Sequence, residues 1–555
     1  MNEAGHRTLL AVSVGAALGV VFFFVYSFLV LAVPGYYNSP DENSNAVFTQ
    51  LLAEKGQLHR LENLNLVLAN RIHPRSVKVV NDLQVPGGFL GLPVIYGIIA
   101  RSLGAKVIPF ITPFIALLGV LAWGLMISQH FGRRVGVLAA GLLLVNPVWW
   151  YWSSHTMMPN VLLMSLLLGA AYFLSCTPSE ALSRRQEYRG LGLLRWADAV
   201  LAGICLGLAL AVRLAAIYWL FIAVLVMIVL VGRRLPWSRI AICLVFAWLV
   251  LAPFLLINQS LYGSWLMTGY GDVSATVSDA AHGGLGAKLL GPVRPILFPL
   301  GFAPRTAVAN FWSYGVKLFW WWSLLVGLAG LYLWRRCGRV SGWREQSPYT
   351  SAVLITGLIV SGWLILFYGS WSIQDNPNPN VVTIGSSYLR YWLPIFILST
   401  LPVAGALSLL VDLSRRYHLA QVSVFLFLLL IASISGRQVF GAAQEGLIAI
   451  QTNLRVYQWE VQQIIELTED DALIVVDHAD KYLYPKRAVM YPLRSDETYQ
   501  LLPLAVANTP TYYFGLTFPE RDLDWLQNVK LPPLGLSIQP TADLGEHSLY
   551  KFIFK

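Results

Sequence analysis

Apolar runs long enough to cross a bilayer recur along this chain from residue 9 to residue 435, and nothing else in the sequence constrains the fold as strongly. A crossing helix needs about 20 predominantly apolar residues. The runs lie at 9–33, 107–128, 135–151, 157–175, 197–213, 215–231, 238–257, 316–334, 349–368, 391–411 and 418–435, so about eleven spans are expected. The stretch 197–231 reads either as a tight pair or as one broken unit. The segment GGFLGLPVIYGIIARSL at 87–103 is too short and glycine-rich for a span and reads as a re-entrant or interface-lying helix. The first run lacks a small-residue cleavage site, so a retained helix is expected rather than a signal peptide. The chain is 56% hydrophobic and 12% charged, about half the charge fraction of an ordinary soluble domain. The expected fold class is a polytopic α-helical membrane protein.

The net charge of +10 does not indicate nucleic-acid binding, because the cations sit in short clusters between apolar runs. Arg133/Arg134, Arg184/Arg185/Arg189/Arg195, Arg233/Arg234, Arg335/Arg336/Arg339 and Arg415/Arg416 occupy alternate loops. With the first span running in to out, all five clusters fall on one side, which the positive-inside rule makes cytoplasmic. The N-terminus is then expected in the cytoplasm of a plasma-membrane protein. Loops 34–106, 259–315 and 369–390 and the tail after 436 are expected on the extracytoplasmic face. Cys176, Cys205, Cys243 and Cys337 show no CxxC spacing, so neither a disulfide scaffold nor a metal–thiolate site is expected.

The chain changes character after about residue 440. QWEVQQIIEL reads as an amphipathic helix, 473–476 and TPTYYFGLTF as strands, and LGLSIQPTADLGEHSLYKFIF as a strand pair turning near Gly545. The expected organisation is a transmembrane domain at 1–435, including the outer loop 34–106, and a small soluble extracytoplasmic α/β domain at 436–555. The tail has no glycine-rich nucleotide fingerprint.

The first outer loop carries the densest chemical signal. SPDENSNAVFTQLLAEKG offers Ser39 or Asp41 as an N-cap, with Asp41 and Glu42 in the opening turn of a helix. A carboxylate near the hydrocarbon boundary can lose water on one side and gain base strength. Asp41 and Glu42 are therefore candidates for deprotonating a nucleophile, and their plainer role is to cap and solvate a loop helix. His59, His73 and Asp82 share this loop. They are polar loop residues or helpers to a divalent cation, although their spacing matches no metal motif.

Guanidinium forks match phosphate oxygens, and several cations sit at span edges. Arg213 lies between two apolar stretches in GLALAVRLAAIYWL, where an arginine is costly without a partner or polar cavity. Arg390 precedes a span in SSYLRYWLPIFIL on the outer side, where topology does not ask for a cation. Lys106 is a further phosphate candidate, and Arg294 and Arg305 flank PILFPLGFAPR. For most of these, snorkelling to the headgroups is the alternative. Tyr262, Tyr270 and Tyr391, with Asp82, are candidates for a substrate pocket, and interface anchoring is the alternative for the aromatics.

Taken in order, PDENSNAVFTQLLAEKG, VPGGFLGLPVIYGIIARSLG, FGRRVGVLAAGLLLVNP, GLALAVRLA, PFLLINQSLYGSWLMTGY and RYWLPIFIL resemble the GT-C class of integral membrane glycosyltransferases. The resemblance is greatest to the protein mannosyltransferase and aminoarabinose transferase type, often called family 39, and covers about 9–435. It implies a GT-C-like fold and transfer of a sugar from a polyprenyl or dolichyl phosphate carrier to a protein, lipid or glycan acceptor outside the cytoplasm. It also implies that Asp41 is the base or acceptor-orienting residue, with Glu42 adjacent, and that Arg390, and by extension Arg213, faces the lipid phosphate. The partners implied are the lipid-linked sugar, an unidentified acceptor and membrane lipids. No cofactor is implied with certainty; a divalent metal ion is compatible, with no ligands named. The chain departs from the mannosyltransferases in having His73-Pro74 followed by Arg75 where they carry an HPP-like segment. Two other readings remain: a transporter or flippase of a lipid-linked glycan, which would place charges along a pathway inside the spans, and a non-catalytic scaffold, which would make Asp41 and Arg390 dispensable.

Overall fold

The computed structural model describes residues 3–175, 191–269, 271–272, 301–337, 348–373, 375, 381–414 and 417–555. Tyr270, Arg294, Cys176, Arg184, Arg185, Arg189, Arg339, Arg415 and Arg416 lie outside them. The chain forms two compact units. One comprises Met1–Leu29, Phe110–Leu256 and Asp272–Ala449; the other comprises Val30–Pro109, Ile257–Gly271 and Ile450–Lys555.

The first unit is helical. Among the described residues of the whole chain, six helices are long and apolar enough to cross a membrane: Ala105–Phe131, Leu214–Arg234, Trp237–Tyr262, Thr350–Gly369, Leu393–Leu413 and His418–Gly441. Two bent pairs raise this to eight, below the eleven expected from the runs. The three remaining runs, 9–33, 157–175 and 197–213, hold shorter apolar helices, Ser13–Tyr26, Pro159–Ser175 and Trp196–Val212, and two of the eight are bent. The run expected as one span at 135–151 bends by 53° between Arg133–Leu144 and Pro147–Ser154. Asn146 caps the second piece, its side chain accepting from the amides of Val148 and Trp149, and Pro147 follows at the first helical position, where a missing N–H costs nothing. The run at 316–334 is the second arm of a pair, Pro304–Lys317 and Trp320–Arg336, bent by 93°. Stretch 197–231 resolves into Leu191–Val212 and Ile217–Val231, which meet at Arg213 in extended backbone (φ −157°, ψ 93°). Large apolar side chains such as Leu358, Phe425 and Val229 are exposed on these helices, as expected where lipid rather than water is the solvent. The protein is an integral membrane protein.

Helix packing in this unit uses small residues, which let backbones approach closely in a membrane. Gly203 and Gly207 lie four apart on Leu191–Val212. A Cβ on Gly203 would fall 2.4 Å from the carbonyl oxygen of Cys243, and one on Gly207 2.5 Å from that of Ala247.

The second unit holds a five-stranded sheet in the order Ala488–Met490, Leu473–Val476, Thr511–Leu516, His547–Phe554, Leu536–Asp543. The first three strands pair in parallel and the last three antiparallel. The strands read from the sequence are present, including the terminal pair, and the amphipathic helix runs Leu447–Leu467. Residues 34–106 hold the two helices expected there, Pro40–Lys55 and Gly91–Leu103, and a three-stranded sheet that was not expected, Arg60–Leu61, Leu83–Pro86 and Val77–Val80. Gly91–Leu103 has 13 residues, about 20 Å, too short to cross a hydrocarbon core of about 30 Å. The compact units differ from the division expected at residue 435, because the loop shares a core with the tail. Leu68 and Ile72 are fully buried among Leu473, Val475, Met490 and Tyr499, and Ile72 bridges Met490.

Substituting Gly207 by alanine is expected to lower the melting midpoint of the detergent-purified protein, since overpacking a close contact typically costs about 1–3 kcal/mol. Gly330→Ala is the control, because nothing lies within 4 Å of a Cβ there; thermal unfolding of the two variants side by side checks the difference.

Candidate active site

The acidic helix Pro40–Lys55 starts as its sequence dictates. Ser39 is the N-cap, its hydroxyl accepts from the Asp41 amide at 3.2 Å, and Pro40 occupies the first helical position. The Glu42 carboxylate reaches back to accept from the Ser39 amide at 3.4 Å, completing a capping box. Glu42 is only 2% exposed. The two adjacent carboxylates therefore do different things. Glu42 turns inward as part of the helix start. Asp41 is half-buried, and its Oδ1 accepts a 2.5 Å hydrogen bond from the Ser76 hydroxyl.

The surroundings of Asp41 come from distant parts of the same compact unit. Arg75 binds Asp480 through its own amide (2.7 Å), Nε (3.1 Å) and Nη2 (2.7 Å), and its guanidinium lies 5.0 Å from the Tyr491 ring centroid. Asp480 opens the short helix Asp480–Leu483. Beside it, Lys481 Nζ donates to the Asn38 carbonyl at 2.5 Å, and Asn43 donates to the Tyr484 carbonyl at 3.2 Å. Burial, together with the nearby Glu42 charge, pushes the Tyr37 hydroxyl well above its ordinary pKa. That proton therefore stays in place at working pH, and Tyr37 is no base.

Other sequence candidates lie as follows. Asn81 and Asp82 both have positive φ (50° and 64°) and form the two-residue turn joining Val77–Val80 to Leu83–Pro86, the backbone that such hairpin turns require. Tyr262 is buried and donates to the Pro86 carbonyl at 2.7 Å, fastening the end of its helix to that sheet. Lys106 is exposed on the turn Ala105–Val107. The His73 ring Nδ1 lies 3.0 Å from the Pro74 carbonyl oxygen, and burial lowers its pKa. Among the described residues no group of three or more His, Cys, Asp or Glu is placed to hold a metal ion, so no ligand set is assigned to His59, His73 and Asp82.

The first unit brings three sequence candidates together. The Arg213 guanidinium carbon lies 4.3 Å from the Tyr391 ring centroid, and that of Arg390 lies 5.1 Å from the same centroid. Tyr368 stacks on Tyr391 at 4.6 Å and also lies under Arg213 at 5.8 Å. Arg390 Nη1 reaches Met158 Sδ and Nη2 reaches the Tyr391 hydroxyl, both at 3.3 Å, with the Trp152 ring 5.9 Å away.

Local breaks in the helices put these side chains in place. Arg213 sits where two helices meet. Arg390 lies in the short helix Ser387–Tyr391, which ends at Trp392 before a proline-started helix takes over. Asp375 holds the start of that short helix, accepting from the Ser387 amide at 2.6 Å and hydroxyl at 2.8 Å. Arg305 is exposed at the start of Pro304–Asn310 and, among the described residues, joins no such cluster.

Several residues around these groups escaped the sequence reading. Ser76, Arg75 and Asp480 carry no motif; the only sequence signal was the His73-Pro74-Arg75 departure. Buried His155 packs against Tyr151 and Trp152 at 4.7 and 5.3 Å. Glu445 accepts from Thr383, and a Cβ on Gly385 would meet both Glu445 and the Tyr151 hydroxyl.

The backbone as a whole matches known structures. ArnT from Cupriavidus metallidurans bound to undecaprenyl phosphate superposes with a TM-score of 0.54 at 14% identity, covering 97% of each chain. Its apo state gives 0.54 at 13% identity and 98% coverage of each. The fold is that of the GT-C glycosyltransferases. The apo oligosaccharyltransferase of Archaeoglobus fulgidus, with the same fold, gives 0.52 at 12% identity, covering 92% of this chain and 70% of that one. The family model for Alg9-like mannosyltransferases matches residues 107–273. The expected GT-C class therefore stands, while the matched model is Alg9-like rather than the family 39 type. No curated protein matches the sequence.

The capping geometry separates the two acidic residues experimentally. Glu42→Ala is expected to destabilise the acidic helix by about 0.5–2 kcal/mol, the usual cost of losing cap interactions. Glu42→Gln keeps an acceptor for the Ser39 amide and is expected to melt and turn over like the wild type. Melting curves with parallel activity measurements check both.

Proposed function

We propose that this protein transfers a glycosyl group from a polyprenyl-phosphate carrier to an acceptor on the extracytoplasmic face of the plasma membrane, with its N-terminus in the cytoplasm. The observation that carries the proposal is the placement of Arg213 and Arg390 against one aromatic ring. Two guanidinium groups gathered on one ring favour an anion beside them, and their forked donors suit phosphate oxygens. The relatives support the choice of anion. One is described with undecaprenyl phosphate bound, and the matched family model is that of mannosyltransferases, which makes mannose the first sugar to test.

The chemistry is a displacement at the anomeric carbon. The acceptor's oxygen or nitrogen forms the new bond to that carbon as the bond to the carrier's phosphate oxygen breaks, and the electron pair leaves with the phosphate. Arg213 and Arg390 stabilise the charge that develops there. The phosphate is a stable leaving group and needs no strong general acid. The proton released by the acceptor goes to Asp41, whose carboxylate is oriented by Ser76. Lys106 is exposed at the edge of its helix and is proposed only as a contact to lipid headgroups.

The test is sugar transfer in membranes with a panel of radiolabelled polyprenyl-phosphate sugars. Asp41→Asn is expected to lose about 10²–10⁴-fold in rate, the usual contribution of a general base, and Arg390→Ala to lose transfer through weakened carrier binding. Full transfer by Asp41→Asn at equal protein level would remove its role.

A further inference from the structure

We propose that Ser76 is a positioning residue for the Asp41 carboxylate, and that the C-terminal α/β fold holds Ser76 in place through the Arg75–Asp480 pair. The inference rests on the reading of Asp41 as the acceptor's base and gives the tail a part in that step. All the groups belong to one compact unit.

Ser76 is tied to the first turns of the acidic helix at two points. Its hydroxyl donates to Asp41 Oδ1 at 2.5 Å, and its carbonyl accepts from the Ser44 hydroxyl at 2.6 Å. Ser44 follows Asp41 by three residues and so shares its helix face. The Ser76 carbonyl also accepts from the Gly87 amide at 2.8 Å. That approach is so close that a Cβ on Gly87 would lie 2.4 Å from the Ser76 carbonyl carbon and oxygen. The backbone at Ser76 has φ +60°, a conformation that few residues other than glycine adopt and that persists where surrounding contacts hold it.

The restraint on the other side is the preceding residue. Asp480 is fully buried, and Arg75 is its partner through main chain and guanidinium together. A charge buried this deeply stays only while it is paired and hydrogen-bonded. The pair therefore links the loop to the tail at one register, and the next residue along the chain is the one that meets Asp41. Lys481 and Asn43 add contacts between the same two segments. A carboxylate held in this way is oriented before the acceptor arrives, which is worth more in rate than in substrate affinity.

The experiment uses the full-length protein in detergent or nanodiscs and measures kcat per folded protein and KM for the carrier sugar. Ser76→Ala is expected to lower kcat about tenfold and leave KM for the carrier within twofold, because orientation of the base is lost while the carrier's contacts stay. Asp480→Asn is expected to produce the same pattern more weakly, by loosening Arg75. A purely structural role would change protein yield and melting but leave kcat per folded protein at the wild-type value. If Ser76→Ala keeps the wild-type kcat while Asp41→Asn is inactive, the positioning role is wrong and the base stands. If Asp41→Asn keeps full transfer, both fall. Should Asp480→Asn fail to fold, Ser76→Ala alone decides.

Discussion

Two guanidinium groups set against one tyrosine ring are the arrangement on which the proposed chemistry depends. Like charges gathered on one half-buried ring repel each other, and contacts in the fold offset that repulsion. Cation–π contact with Tyr391 contributes about 0.5–2 kcal/mol for each cation, and the stacked Tyr368 widens the aromatic surface. Neither arginine lies in the regular interior of a long helix. Arg213 is at the extended joint between Leu191–Val212 and Ile217–Val231, and Arg390 is in a five-residue helix tied down by Asp375. Each break replaces helical backbone hydrogen bonds by side-chain or short-turn ones, and such irregular backbone at a membrane protein's core is tolerated where it lines a site.

The acidic helix solves a different problem. Its first turn must present one carboxylate and satisfy its own amides. Ser39 and Glu42 take the capping role, which leaves Asp41 to interact with Ser76. The partners that shape this end come from the tail: Asp480, Lys481 and the Tyr484 carbonyl all meet the loop 34–106. The tail is therefore better described as the other half of the loop's core than as an independent module, as the burial of Leu68 and Ile72 among its side chains shows.

The apolar runs make the helices and the membrane-protein class legible, because hydrophobic length is a strong signal where lipid is the solvent, and the GT-C class rests on the resemblance of the motifs between them. The runs do not show where a span bends, as at Asn146-Pro147, where a cap and a proline break the helix inside one apolar run. The tail's strands were legible from their β-branched and aromatic residues. The loop's membership of the tail's core was not, since Leu68 and Ile72 meet partners that lie at the far end of the chain. Within the sites, the serine followed three residues later by glutamate already contained the cap that separates Glu42 from Asp41. Asn81-Asp82 is a turn signal, and both residues take the positive φ of a two-residue hairpin. The meeting of Arg213, Arg390 and Tyr391 was anticipated as three separate candidates, not as one cluster. Arg75 and Asp480 stand 405 residues apart, and nothing local marks such a pair.

The most direct test of the guanidinium pair is binding rather than turnover. Affinity of the purified full-length protein for a polyprenyl phosphate, measured by titration with radiolabelled lipid in nanodiscs, isolates the interaction from the transfer step. A hydrogen bond to a charged group is worth about 1.5–3 kcal/mol, so Arg213→Ala and Arg390→Ala should each weaken binding by about tenfold or more, while Asp41→Asn binds as the wild type does. Wild-type affinity in both arginine variants would contradict the account.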